Sequence, residues 1–214
     1  MIGSLKMAKL DFFTMKSQLV GYLTLVLFVF MFGYMGSSIT LLGINIAWFI
    51  ALMSSNIFMI QEKNNLNRLY SSVSIGQKDI VLGRYLFMVS SHIASFVLTV
   101  IMCSGLILVQ NKSLNLADVF LSFSVSFLVF SAITGIQMPL FFRMGYIKAR
   151  GWFLLIFVVV IALALLPFFI PTLFEAVKPI LSNRSFLSVF GILVGCIIQY
   201  VSYRISIIAY RKRV

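Results

Sequence analysis

The groups in this chain that could do chemistry are few and widely scattered. Its only histidine is His92, its cysteines are Cys103 and Cys196, and its carboxylates are Asp11, Glu62, Asp79, Asp118 and Glu175. A metal site would need several of these at ligand spacing, such as H-E-x-x-H or paired cysteines, and no such spacing occurs. A G-x-x-x-x-G-K-[ST] loop is also absent, so ATP phosphates are not cradled by the usual route. Cys103-Ser104-Gly105 lacks the first glycine of a nucleophile turn, and His92 lies upstream of it, which argues against an intramembrane serine hydrolase. The carboxylates map to segment ends and loops, so acid/base or metal work inside the apolar segments is not expected. No catalytic residue, metal or cofactor is assigned.

What the sequence offers instead is a long polar stretch from Gln61 to Arg84. Read as a helix, Leu66, Leu69, Tyr70 and Val73 fall at i, i+3, i+4 and i+7, one narrow apolar stripe. Glu62, Lys63, Asn64, Asn65, Asn67 and Arg68 fill the remaining surface. One face can dock and the other stays wet. Ser74 followed by Gln77 has the form of a capping box and predicts a new helix running through Ile80, with a break at Ser71 to Ser74.

Everything around this stretch reads as membrane. The 214 residues are 61% hydrophobic and 10% charged, far from the roughly 25% charged residues of soluble domains. At about 20 apolar residues per helical crossing, the apolar segments divide into six spans, at about 18–35, 39–60, 85–109, 119–142, 152–170 and 186–203. The expected fold is all-α, an integral membrane bundle forming a single transmembrane domain over 1–214, and strand-like alternation is absent. A soluble domain has no room.

Orientation follows from the basic residues. With both termini cytoplasmic, the inner side holds Lys6, Lys9, Lys16, Lys63, Arg68, Lys78, Arg84, Arg143, Lys148, Arg150, Arg204, Arg211, Lys212 and Arg213, and the outer side only Lys112, Lys178 and Arg184. Fourteen against three fits the positive-inside rule. The net charge of +12 is then a topology signal plus attraction to anionic lipid. Nucleic acid is not an expected partner, because the basic residues are dispersed over several loops.

Within the spans, individual residues carry two readings each. Before the first span, Leu5, Ala8, Phe12, Met15 and Leu19 recur at helical spacing, giving an interfacial helix on the inner leaflet, with a frayed basic terminus as the alternative. Asn45 and Asn56 in span two are expected first as interhelical hydrogen bonds and second as substrate contacts. His92 is expected as a neutral histidine bonded to a neighbouring helix, ahead of a proton relay, since no carboxylate lies within the spans to pair with it. Ser122 and Ser126, and Gly191 and Gly195, are small-xxx-small pairs that read as helix packing first and dimer contact second. Pro139 is expected to kink the inner end of span four. Pro167, Pro171 and Pro179 interrupt an apolar segment between Leu166 and Arg184, which reads as a re-entrant element or as a kinked span end with a short loop.

The polar stretch resembles the first cytoplasmic loop of bacterial ABC-2 type exporter permeases, in particular the short six-span subunits encoded separately from their ATPase. The matching positions are Glu62, Asn64 or Asn65, Arg68, Leu69, Ser72, Lys78, Ile80, Val81, Arg84 and Tyr85, while Val73-Ser74-Ile75-Gly76 replaces the usual Leu-Pro-Val-Ser turn. This resemblance implies a coupling helix between spans two and three that inserts into an ABC ATPase subunit, which binds the ATP and Mg. Leu66, Leu69, Tyr70 and Val73 would anchor it and Glu62, Lys63 and Arg68 would rim it. It further implies a second permease, identical or related, and export of an amphipathic or hydrophobic substrate such as an antimicrobial or cytolytic peptide or a drug from a bacterial cytoplasmic membrane. Two rivals differ in class. A vitamin importer's substrate-binding subunit would carry an alanine-rich docking face on span one, and Val20 to Phe32 contains no alanine. A membrane immunity or scaffold protein would leave the polar stretch without an ATPase.

Overall fold

The computed structural model describes residues 2–66, 76–109, 115–152, 155, 158–159, 162 and 184–212, and the side chains of all these except 2, 17, 19 and 107–109. Among the described residues every regular element is helical: α1 Ile2–Met15, a 3-10 turn Lys16–Gln18, α2 Leu19–Tyr34, α3 Ile39–Lys63, α4 Gln77–Val109, α5 Leu116–Met144 and α6 Arg184–Arg211. A short helical stretch, 146–152, follows α5.

Four of these, α3, α4, α5 and α6, are each long and apolar enough to cross a membrane. They occupy four of the six expected spans. The first expected span coincides with α2, whose 16 residues reach about 24 Å at 1.5 Å per residue, short of an apolar layer about 30 Å thick. Joined to α1 it meets the length test, but the two are bent by 79° at the turn between them. The expected span at 152–170 and the proline-rich segment after it lie almost wholly outside the described residues, as do Leu69 and its neighbours from 67 to 75.

The directions of the helices are fixed by their contacts. At one end Thr40 of α3 hydrogen-bonds Ser122 of α5, and Arg184 of α6 meets Asp118 of α5 at 2.7 Å. At the other, Phe58 of α3 packs on Phe141 and Phe142 of α5, and Phe142 on Tyr210 of α6. So α5 and α6 run the same way, and the connection between them begins at one end of the bundle and finishes at the other. The chain's two terminal helices both reach the end that carries Phe58 and Phe142.

Helix ends follow local rules. Ser38 caps α3 through the Leu41 N–H at 3.3 Å, after a tight turn in which Gly36 takes φ 82°. Asn115 caps α5 through the Ala117 N–H at 3.0 Å. Gly76, rather than a serine hydroxyl, offers its carbonyl to the Asp79 and Ile80 amides at the start of α4. Ser74, the residue expected to cap there, lies outside the described residues. Gly145, at φ 78°, closes α5 with its amide on the Phe141 carbonyl, in the left-handed region that favours glycine. Upstream of it, α5 continues through Pro139 to Met144.

The centre of the fold is α5, whose buried polar side chains face α3 on one side and α6 on another. Ser126 donates to the Gly43 carbonyl of α3 at 2.7 Å, and Gln137 to the Ala51 carbonyl at 3.2 Å. Toward α6, Ser124 donates to the Leu187 carbonyl, and Gln199 donates to Thr134 at 2.7 Å. In a lipid surround such bonds contribute about 0.6 kcal/mol each, and the small side chains that make them also let the helix axes approach. A Cβ on Gly195 would lie 2.7 Å from the Phe127 ring, and one on Gly191 would strike the Ser124 hydroxyl.

Candidate functional site

The expected docking stretch divides at the edge of α3. Glu62 and Lys63 are not the start of a separate helix; they complete α3, which the Asn64 amide closes on the Ile60 carbonyl. The chain then turns at Asn65, a non-glycine residue at φ 50° of a type that tolerates the left-handed region. Leu66 is half-buried and packs on the core, while Lys63 is exposed. Arg68, Leu69, Tyr70 and Val73 lie outside the described residues.

Glu62 has partners within the chain. Both its carboxylate oxygens accept backbone amides at the start of the 146–152 stretch, from Tyr146 at 2.9 Å and from Ile147 at 3.1 Å. A carboxylate suits this position because the first amides of a helix have no partner in the helix itself and carry its positive dipole end. The end of α3 is thereby tied to the element that follows α5.

A second tie joins α1 to the first turns of α4. Ser4 donates to the Asp79 carboxylate at 2.6 Å, and Asp11 faces Arg84 at 3.6 Å with both side chains almost fully buried. The Arg84 guanidinium also lies 4.4 Å from the centre of the Phe58 ring, a cation–π contact that partly replaces lost hydration. Burial outweighs the attraction of Arg84 and pushes the Asp11 carboxyl up to about 6. The helices touch closely here, since a Cβ on Gly83 would lie 2.6 Å from Met7 Cβ and 2.8 Å from the Ser4 carbonyl.

The buried face of α1 is Ser4, Met7, Asp11 and Met15, at i, i+3, i+7 and i+11. Leu5 and Phe12, members of the apolar row seen in the sequence, point away from the bundle and stand free to meet lipid. Sequence reasoning missed the Asp11–Arg84 pair because each charge has a bland explanation alone. The available signal was spacing: Asp11 is flanked at helical intervals by Met7 and Met15.

The remaining candidates sit deeper. His92 stacks on Phe130 with ring centres 4.5 Å apart, and its Nε2 lies 3.4 Å from the Ser126 hydroxyl of the neighbouring helix. Nδ1 has no hydrogen-bond partner among the described residues. Asn45 donates to the Leu41 carbonyl of its own helix, and Asn56 points its amide at the Met53 sulfur, so both bonds stay within α3. The small pairs meet inside the chain: Ser122 on Thr40, Ser126 on Gly43, and Gly191 and Gly195 on Ser124 and Phe127. Tyr85, unremarked in the sequence beyond its motif, bonds to both Ser202 and Ser206 of α6. No cluster of three metal-ligating side chains occurs among the described residues.

The two flanks of the polar stretch are the end of α3 and the start of α4, and each is bonded to a different part of the bundle. No curated protein and no solved structure matches this chain. A family model described as ABC-2 family transporter protein matches residues 6–211, nearly the full length. The chain belongs to the ABC-2 family of transporter proteins, as a membrane component of a transporter.

Proposed function

We propose that this chain is the permease subunit of an ATP-driven exporter, and that residues 62–73 dock on a separate ABC ATPase that binds the ATP and Mg. The observation that carries this reading is the pair of ties at the flanks of that stretch. Glu62 links its upstream flank to the 146–152 stretch, and Asp11 and Ser4 link its downstream flank to α1. A force applied to the polar stretch would reach both sides of the bundle through these bonds.

The end bearing the stretch is the cytoplasmic one in this proposal. Lys6, Lys9, Lys16, Lys63, Lys78, Arg143, Lys148, Arg150, Arg211 and Lys212 gather there, while Arg184 marks the opposite end. The parallel course of α5 and α6 supports a further crossing between them, and with α2 counted this makes six spans with both termini inside a bacterial cytoplasmic membrane. A second permease, a copy or a relative, completes the path, and the cargo is an amphipathic or hydrophobic molecule such as a peptide or drug.

The test is recovery of the chain from its native membrane in mild detergent, followed by mass spectrometry of stoichiometric partners. A soluble protein with Walker motifs should accompany the native chain and be lost from Leu69→Asp and Arg68→Glu variants that still reach the membrane. Recovery without an ATPase, or undiminished ATPase in both variants, overturns the docking assignment.

A further inference from the structure

An open cleft of about 1140 Å³ lies at the end of the bundle where α3, α5, the 146–152 stretch and α6 finish. Its charged lining consists of Arg143, Lys148, Lys212 and Glu62, three cations against one carboxylate. Glu62 already accepts two backbone amides. The three cations are exposed, and none has a carboxylate within ion-pairing distance among the described residues. Arg143 and Lys148 lie close together in the chain, on either side of Gly145, and the fold brings Lys212, one residue past the end of α6, beside them. Such convergence leaves a site with an unmatched positive potential.

The rest of the lining includes apolar side chains. Leu140, Met144, Ile147 and Trp152 contribute to it, and Ile147 and Trp152 are 79% and 54% exposed. An aromatic ring beside cations at the end of membrane-crossing helices marks the level of lipid headgroups. A soluble phosphate would use the cations and leave these apolar side chains in water. A phospholipid uses both, its phosphate on the cations and its acyl chains along Met144 and Ile147.

We propose that this cleft is a binding site for an anionic phospholipid, whose headgroup is held by Arg143, Lys148 and Lys212. The cleft shares Glu62 and Asn65 with the proposed docking stretch, but lipid binding there does not require that stretch to hold an ATPase. Each cation near an anionic membrane surface contributes about a fivefold preference for the anionic lipid, and a specific site concentrates that preference in these three residues.

Trp152 reports on the site directly. With Trp48→Phe as the background, Trp152 is the sole tryptophan of the full-length chain. That protein is placed in phosphatidylcholine vesicles containing acyl-brominated phosphatidylglycerol or, at the same mole fraction, acyl-brominated phosphatidylcholine. The anionic lipid should quench Trp152 severalfold more effectively. The preference should vanish in Arg143→Gln/Lys148→Gln/Lys212→Gln, persist in Lys148→Arg, and persist in Lys6→Gln/Lys9→Gln, where basic residues of α1 are removed instead. Equal quenching by the two lipids overturns the proposal, as does a preference that survives the triple substitution. Loss of the preference in the α1 variant assigns it to general surface charge. Its loss to inorganic phosphate, but not to chloride at the same ionic strength, assigns the cleft to free phosphate. A triple variant that keeps the preference but sheds an ATPase assigns the cleft to a protein contact. Each of these three outcomes also overturns it.

Discussion

Replacing Asp11 with asparagine should make this protein more stable at neutral pH, although it removes one partner of a buried ion pair. Asp11 and Arg84 are 1% and 0% exposed and 3.6 Å apart. Breaking such a pair commonly costs about 3–5 kcal/mol, because a charge is left alone in a low-dielectric interior. Here the carboxyl is raised from 3.8 to about 6, with burial the larger cause and Arg84 the smaller, opposing one. The attraction of Arg84 is already inside that balance. Over the interval from 3.8 to about 6, at about 1.4 kcal/mol per pH unit, the ionised carboxylate weakens the fold by about 3 kcal/mol relative to its neutral form. The sign follows: this raised acid contributes stability that is complete below pH 3.8 and is lost as pH rises through about 6. The amide introduced by Asp11→Asn keeps the shape and hydrogen-bonding capacity of the neutral acid at every pH. Thermal unfolding in detergent can be followed with a thiol-reactive dye at the buried Cys103, after the exposed Cys196 is changed to serine. At neutral pH the Asp11→Asn protein should melt about 6–12 °C higher than its parent. The parent should rise toward it as pH falls from 6 to 4. A variant that melts several degrees lower, or a parent whose stability falls over that window, would show that the pair is net favourable and refute the argument.

Two further substitutions test the ties beside the polar stretch. Glu62→Gln keeps the length of the side chain but removes the charge that meets two amides of the 146–152 stretch. The loss should be about 1–2 kcal/mol, and hydrogen exchange should show amides 146 and 147 opening faster while those of α3 are unchanged. Gly83→Ala places a methyl against Met7 and the Ser4 carbonyl, a backbone atom that no rotamer change can move. It should cost about 1–3 kcal/mol and raise proteolytic release of α1, whereas Gly105→Ala, with open space around it, should do neither.

The spans are legible in the sequence because hydropathy over about 20 residues is a sum that single residues scarcely alter. Four of them, α3 to α6, stand where the apolar runs put them. Their ends are less legible. α6 extends to Arg211, past the span expected at 186–203, because a helix continues past the lipid for as long as its amides find carbonyls, whereas α4 begins at Gln77, beside the Ser74 and Gln77 spacing that predicts a new helix there. The serine spacing along α5 points to packing, and the serines lie on α3 and α6 as packing residues do. Which neighbour each one meets is not legible, since spacing along one helix gives faces and not partners. Asn45 and Asn56 show the opposite failure: their polarity suggests a partner helix, yet a carbonyl one turn back and a neighbouring sulfur suffice. Charge alone assigns Asp11 and Arg84 to a membrane surface. Their pairing depends on α1 folding back across α4, and a 79° bend at a three-residue turn has no signature in hydropathy.

Different helices of the bundle are held by different kinds of contact. Along α5, hydroxyls and glycines bind α3 and α6 at close range through carbonyls, contacts that tolerate little sliding. α4 stands differently. It meets α5 through the long His92–Ser126 contact and a stack of rings, and α6 through Tyr85. Its tightest approach is to α1, at Gly83 against Met7 and the Ser4 carbonyl and at Gly3 against the Asp79 side chain. By these contacts α3, α5 and α6 make one packed unit and α1 with the first turns of α4 another. The polar stretch is the covalent connection between the two units, and Arg84 over Phe58 lies at the seam beneath it. A charge held against rings and one carboxylate is costly to bury and has a broad choice of geometries.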